Sequence, residues 1–112
     1  MMHFIDLKQC WKREVLPGVN ITTAWGERVM MSFVDFEPHA IVPEHSHRHE
    51  QMGIVLAGSF ELTIDGETRT VSSGDAYLVP SGVLHSVRTG ETAARALDIF
   101  SPPREDYQPG AE

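Results

Sequence analysis

At 112 residues the chain has room for one core but not for two, and 41% hydrophobic with 22% charged residues excludes wholesale disorder. A formal charge of −7 argues against nucleic acid, whose recognition needs a basic stripe, yet it leaves open an anionic small molecule, because a metal ion or an arginine can reverse the field inside a pocket. No apolar run reaches the roughly 20 residues of a membrane helix. The start, MMHFIDLKQCWKRE, has no signal-peptide apolar core, and Cys10, the single cysteine, cannot form an internal disulfide, so the expected setting is the cytoplasm.

In chain order, Asp6–Leu16 reads as a short helix or an edge strand, with Cys10 a small half-buried hydrophobe. Val19–Trp25 precedes the turn Gly26-Glu27, and Val29–Phe36 precedes Glu37-Pro38. Phe60, Leu62 and Ile64 alternate with polar residues up to Asp65-Gly66, after which Thr68, Thr70 and Ser72 keep the same beat. Period-two alternation broken by Asp-Gly predicts a β-hairpin. Ala76–Val79, Val83–Val87 and Ala94–Phe100 supply further short strands, while the proline-rich residues 102–112 predict an irregular tail. No window holds a helical period for three turns. The expectation is one all-β domain, a sandwich or barrel with its core in residues 19–101.

Half of the six histidines fall in Pro43-Glu44-His45-Ser46-His47-Arg48-His49-Glu50-Gln51. A solvated loop, a pH-responsive patch and a metal site all fit that spacing; a tag remnant does not, since the cluster is internal and interrupted by Ser46 and Arg48. Strand alternation would point His45 and His47 to one face, where both imidazoles could meet one ion. A third imidazole is available at His85, delivered by the turn Pro80-Ser81-Gly82. His3 and His39 read as plain surface histidines.

These two stretches resemble the paired motifs of the cupin superfamily. The first is glycine, five residues, His-x-His, three or four residues, glutamate, six residues, glycine. Here it stands as His39 in place of glycine, His45-Ser46-His47, Gln51 in place of glutamate, and Gly58. The second is glycine, five residues, Pro-x-Gly, two residues, histidine, three residues, asparagine. Here it stands as Gly74, Pro80-Ser81-Gly82, His85, and Thr89 in place of asparagine. The resemblance implies a double-stranded jelly-roll barrel with one divalent metal ion at its mouth, held by His45, His47, Gln51 and His85; nickel, zinc, iron, manganese and cobalt all suit such donors. It places His49 on the rim or behind the ligands rather than among them. Small cupins often pair, so a homodimer is expected, with Phe4, Ile5, Leu7 and Trp11 either forming its interface or closing the barrel.

An amide where glutamate is usual leaves the ion its full 2+ charge, which favours Lewis-acid work on an anionic substrate. The carboxylate-containing triad of oxygen-activating iron sites is absent.

The stretch from Asp98 to Tyr107 is the second informative region. Alternation puts Asp98 and Phe100 on one face, and Pro102-Pro103 ends the strand in a direction that could hold Arg104 over a mouth. On residues alone, Asp98 is either a solvated edge-strand acid or a working one, and Arg104 is either a surface ion-pair partner of Glu105 or Asp106 or an anion holder. The run His-Ser-His-x-His-Glu-Gln followed by Asp-x-Phe-Ser-Pro-Pro-Arg-Glu-Asp-Tyr is similar to the KdgF family of small cupins across residues 30–107. That resemblance implies conversion of 4,5-unsaturated monouronates from pectin and alginate breakdown to linear keto acids. It further implies Asp98 and Arg104 as catalytic residues, with Phe100 and Arg104 binding substrate. A cupin dioxygenase or other oxidoreductase, and a non-catalytic sugar-sensing cupin, are the rival expectations.

Overall fold

The computed structural model describes residues 3–110, which form ten strands and two single-turn 3₁₀ helices. After the first turn (Leu7–Gln9), the strands are β1 (Trp11–Leu16), β2 (Val19–Trp25), β3 (Met30–Phe36), β4 (Ile41–His45) and β5 (Glu50–Ala57). They continue as β6 (Ser59–Ile64), β7 (Glu67–Ser72), β8 (Ala76–Val79), β9 (His85–Thr89) and β10 (Ala94–Ser101), before a last turn at Glu105–Tyr107. Two antiparallel sheets face each other, one in the order β1-β2-β3-β10-β5-β8 and the other β4-β9-β6-β7. The architecture is the cupin-type jelly roll that the motif resemblance implies, one of the sandwich or barrel forms that the short, turn-separated strands allow.

Alternation decides which side chains meet between the sheets. β3 buries Met30, Ser32, Val34 and Phe36, and β10 buries Ala94, Ala96, Asp98 and Phe100. At one end the interior is filled by Val19, Phe36, Val55, Phe60, Val71 and Ala94, with the Phe36 and Phe60 rings in tilted contact at 5.2 Å between centroids. The predicted Asp65-Gly66 turn joins β6 to β7 with φ of 50° and 81°, the left-handed pair that a two-residue hairpin loop requires.

Two departures from expectation, and one alternative left open by the sequence, have local causes. Asp6–Leu16 splits into a 3₁₀ turn, capped by the Asp6 carboxylate accepting from Lys8 N–H, and an edge strand that extends the large sheet ahead of residue 19. Of the N-terminal apolar residues, Trp11 packs on the core, whereas Phe4 is 92% exposed. The strand expected from Val83 starts only at His85, because the Pro80-Ser81-Gly82 turn runs on, with Val83 N–H donating to Pro80 O at 3.2 Å.

The departures from the motif consensus also have physical readings. His39 stands where glycine is usual and takes φ 61°, a left-handed backbone that glycine adopts without strain. Thr89 stands for asparagine: its buried hydroxyl donates to Glu37 O (2.7 Å) and accepts from Ala40 N–H (2.8 Å), fixing the loop that leads into β4.

Candidate metal centre and barrel mouth

β4 and β9 pair with His45 opposite His85, so cross-strand register rather than sequence spacing brings the remote histidine home. β4 ends at His45, and His47 lies in the loop beyond it, not on the strand that simple alternation suggested. The loop still turns its ring inward. One ring nitrogen from each of His45, His47 and His85 lies within 4.8 Å of the others.

The backbone fixes the tautomers. His45 Nδ1 faces Pro43 O at 2.9 Å, His47 Nδ1 faces His49 O at 3.0 Å and His85 Nδ1 faces Val83 O at 2.9 Å. A carbonyl oxygen only accepts, so each Nδ1 carries the proton, and a neutral ring then presents Nε2 as a bare lone pair. Burial, together with Arg104 and the neighbouring rings, pulls His47 down to about 4; burial also lowers His85. Both stay neutral near pH 7.

Gln51 enters from β5. Its Oε1 lies 3.2 Å from His47 Nε2, while its amide group hydrogen-bonds the Asp98 carboxyl. A lone pair against a carbonyl oxygen is not a hydrogen bond; it is the arrangement two ligands adopt around a cation. The donor set therefore fits a divalent ion: three imidazoles braced through Nδ1–H by backbone carbonyls, plus one neutral oxygen.

Behind the donors sits Asp98. β10 runs between β3 and β5, so Asp98 is on a central strand, and the solvated edge-strand reading is excluded. Tyr77, unassigned from sequence, donates its hydroxyl proton to Asp98 Oδ1 at 2.6 Å. Burial pushes the Asp98 carboxyl up to about 6, against the opposing pull of the Tyr77 and Gln51 hydrogen bonds and of Arg104. Gly53 lies opposite both Asp98 and Tyr77 in register, and a Cβ there would overlap the Tyr77 ring and Asp98 Oδ1. The tyrosine–carboxyl contact exists because that position has no side chain.

The tail folds back over the mouth. Arg104 is buried, forked onto Asp106 through Nε–Oδ1 (3.1 Å) and Nη2–Oδ2 (2.8 Å). Its guanidinium lies 3.9 Å from the Tyr107 ring centroid and 5.2 Å from that of Phe100. Arg104 pairs with Asp106, but as a buried side chain lining the mouth rather than a surface one, and Asp106 uses two of its five N–H donors. Phe100 is only 2% exposed, its ring edge-on to His47, so it supports the arginine and the imidazole and has little surface to offer a sugar. His49 stands outside the histidine cluster and bonds Glu105 at 2.7 Å, while Arg48 reaches the same carboxylate at 2.8 Å. Those contacts, His49 first, draw Glu105 down to about 2.

A small internal cavity of about 60 Å³ touches His45, Gln51, His85, Asp98 and Arg104, and an open groove of about 360 Å³ continues from it past Arg13, Glu44 and Asp106. The inner space suits an ion with its waters; the outer one has the size of a single-sugar site.

Comparison with known proteins agrees with this fold. The family described as Cupin domain matches residues 32–100. Pectin degradation protein KdgF of Dickeya dadantii is 39% identical over 108 residues, covering 94% of this chain and 96% of that protein. H2HPP isomerase of Bacillus subtilis is 30% identical over 94 residues, 82% of this chain but 40% of that one. KdgF from Halomonas superposes with a TM-score of 0.87 at 31% identity, covering 96% of this chain and all of that one. The chain belongs to the cupin family, among the small cupins that include KdgF.

Proposed function

We propose that this chain is an enzyme that converts 4,5-unsaturated monouronates into linear 5-keto-4-deoxyuronates, with one divalent metal ion held by His45, His47, Gln51 and His85. The observation that carries the reading is the meeting, at one mouth, of three imidazole nitrogens, an amide oxygen, a buried carboxyl raised to about 6 and a buried guanidinium. A relative of near-equal length, 39% identical, bears a name that assigns it to pectin degradation. A second relative is by name an isomerase, which suits chemistry that moves protons without an oxidant.

When bound by neutral donors, nickel, zinc, iron, manganese or cobalt would keep its 2+ charge and act as a Lewis acid toward an anionic guest. The chain's own residues account for the rest. Arg104, held rigid between Asp106 and two aromatic rings, receives the uronate carboxylate with its remaining N–H donors, as a planar fork can and a lysine cannot. Asp98, raised by burial to about 6 and so still protonated in a minority of molecules at neutral pH, gives a proton to C4 of the enol ether and is suited to regain one later. Tyr77 and Gln51 keep that carboxyl aimed into the cavity. One proton is gained at C4, the ring C1–O bond breaks, and the anomeric hydroxyl loses its proton. The product is an isomer, and no oxidant is consumed. A cytoplasmic setting accords with the sequence, and no helix among the described residues is long and apolar enough to cross a membrane.

The test is direct. Metal-loaded protein added to freshly generated 4,5-unsaturated monouronate should speed the loss of the alkene's ultraviolet absorbance above the blank. A rate equal to the blank with each of the five metals would leave a ligand-sensing role. Oxygen consumption by the iron-loaded protein would favour an oxidoreductase. In parallel, His47→Ala should weaken metal retention by more than about 10-fold on dialysis, and full occupancy would mean the ligands are misassigned.

A further inference from the structure

The tail that folds over the mouth, residues 102–107, is tied at both ends to the β2–β3 hairpin. Where it leaves β10, the Ser101 hydroxyl donates to Arg28 O at 2.8 Å, and at its far end Tyr107 O accepts from the Thr23 hydroxyl at 2.9 Å. Between these ties it meets loop 46–49, the connection from β4 to β5 that carries His47. Among the described residues, every hydrogen bond from this tail to that loop falls on Glu105. Its Oε1 accepts from His49 Nε2 at 2.7 Å and its Oε2 from Arg48 Nη2 at 2.8 Å. The two contacts bridge 56 and 57 residues of chain.

We infer that Glu105 is a positioning residue, a clasp that holds the tail against the histidine loop and so fixes Arg104 relative to His47. Its role toward substrate rests on the reaction proposed above; its role toward His47 rests only on the donor set. The residue that Glu105 grips is also the one that orients the ligand, because His49 O accepts from His47 Nδ1–H at 3.0 Å. On its other flank the loop is held by the turn that delivers His85. There Gly82 N–H donates to His47 O (2.8 Å) and Ser81 Oγ donates to Arg48 O (2.5 Å). Glu105 supplies the grip from the tail side, and the residue before it is Arg104, whose guanidinium is forked onto Asp106. A contact one step behind a ligand or an anion holder acts on placement, where an error of about 1 Å matters. The Glu67–Arg69 pair of β7 makes the contrast. Glu67 is 66% exposed and Glu105 67%, but the former joins residues two apart on one edge strand and bridges no two elements. Exposed ion pairs contribute little to global stability, so loss of Glu105 should be felt at the mouth rather than in melting.

Zinc-loaded Glu105→Ala, mixed with excess chelator, should release the ion at least about 5-fold faster than wild type, with the thermal midpoint of the metal-free protein unchanged. Its KM for the unsaturated monouronate should rise at least about 5-fold while kcat stays within about 2-fold, the split expected when an anion holder is loosened and Asp98 is not. Glu67→Ala, the control for loss of an exposed ion pair, should match wild type in all of these. Release and KM at wild-type values in Glu105→Ala would overturn the inference whatever the melting shows, and so would equal effects in Glu67→Ala. A wild type without turnover would sink the proposed reaction and leave zinc release to decide the clasp alone. Should Glu105→Ala misfold, or zinc fail to bind, tryptic cleavage after Arg104 in the metal-free protein decides. Arg48→Ala breaks one of the two contacts without touching the cleaved bond, and should be cut there at least about 3-fold faster than wild type; equal rates would refute the clasp.

Discussion

Along β5 and β10 the closed end of the barrel turns Val55, Ala94 and Ala96 inward, while the open end turns Gln51, Gly53, Asp98 and Phe100 inward. The backbone alternation is the same at both ends, and so is the partner sheet. At the closed end the side chains are chosen by volume, and their burial is favourable in itself. At the open end, desolvated polar groups are held against one another: Asp98 is pushed up and His47 pushed down, both by burial. Such groups cost stability unless they are paired. One end therefore supplies the folding free energy that keeps the other in an arrangement it would not adopt alone.

Substitutions should separate the two ends, and the largest effect belongs to the closed one. Phe60→Ala removes a ring in contact with Phe36 and should lower unfolding free energy by about 3–5 kcal/mol in urea titration, with metal affinity of the folded protein unchanged. Coupled losses of both would mean the ends are not independent. At the open end, Asp98→Asn should cut turnover of the unsaturated uronate by roughly 10²-fold or more while fold and metal content persist; turnover at the wild-type rate would remove Asp98 from the chemistry.

The same variant carries a pH signature. The folded Asp98 titrates near 6 and the unfolded one near 3.8, so between those values the folded state holds a proton that the unfolded chain has lost. The contribution of Asp98 to the stability of the metal-stripped wild type should therefore fall as pH rises through that window and then level off, while the lowered His47 contributes with the opposite sign. Asp98→Asn lacks this slope, and its stability relative to wild type should rise by about 2–3 kcal/mol from pH 3.5 to 7, contributions from His47 cancelling in the difference. A flat difference would mean Asp98 ionises as freely in the fold as outside it. The smallest effect is expected of Gly53→Ala, about 1–3 kcal/mol, with Tyr77 displaced from Asp98 and its fluorescence altered.

Much of the open end was legible in the sequence because its donors sit at motif spacings: His45, His47, Gln51 and His85 stand in register with two family patterns, and alternation paired Asp98 with Phe100. Tyr77 and Gly53 were not legible. Each reads as an ordinary strand position, and their meaning arises only when β8, β5 and β10 lie side by side. Tyr107 lay within the recognisable tail, yet nothing local says that its ring would cover Arg104.

The position of β10 bears on how the molecule is made. It is the last strand in chain order among the described residues and yet lies in the middle of its sheet, hydrogen-bonded to β3 on one side and β5 on the other. A nascent chain stopped short of Ala94 holds both of those strands with open edges and nothing to join them. Closure must wait until Ala94–Ser101 has left the ribosome, and fragments that end before it are the species most prone to pair with one another.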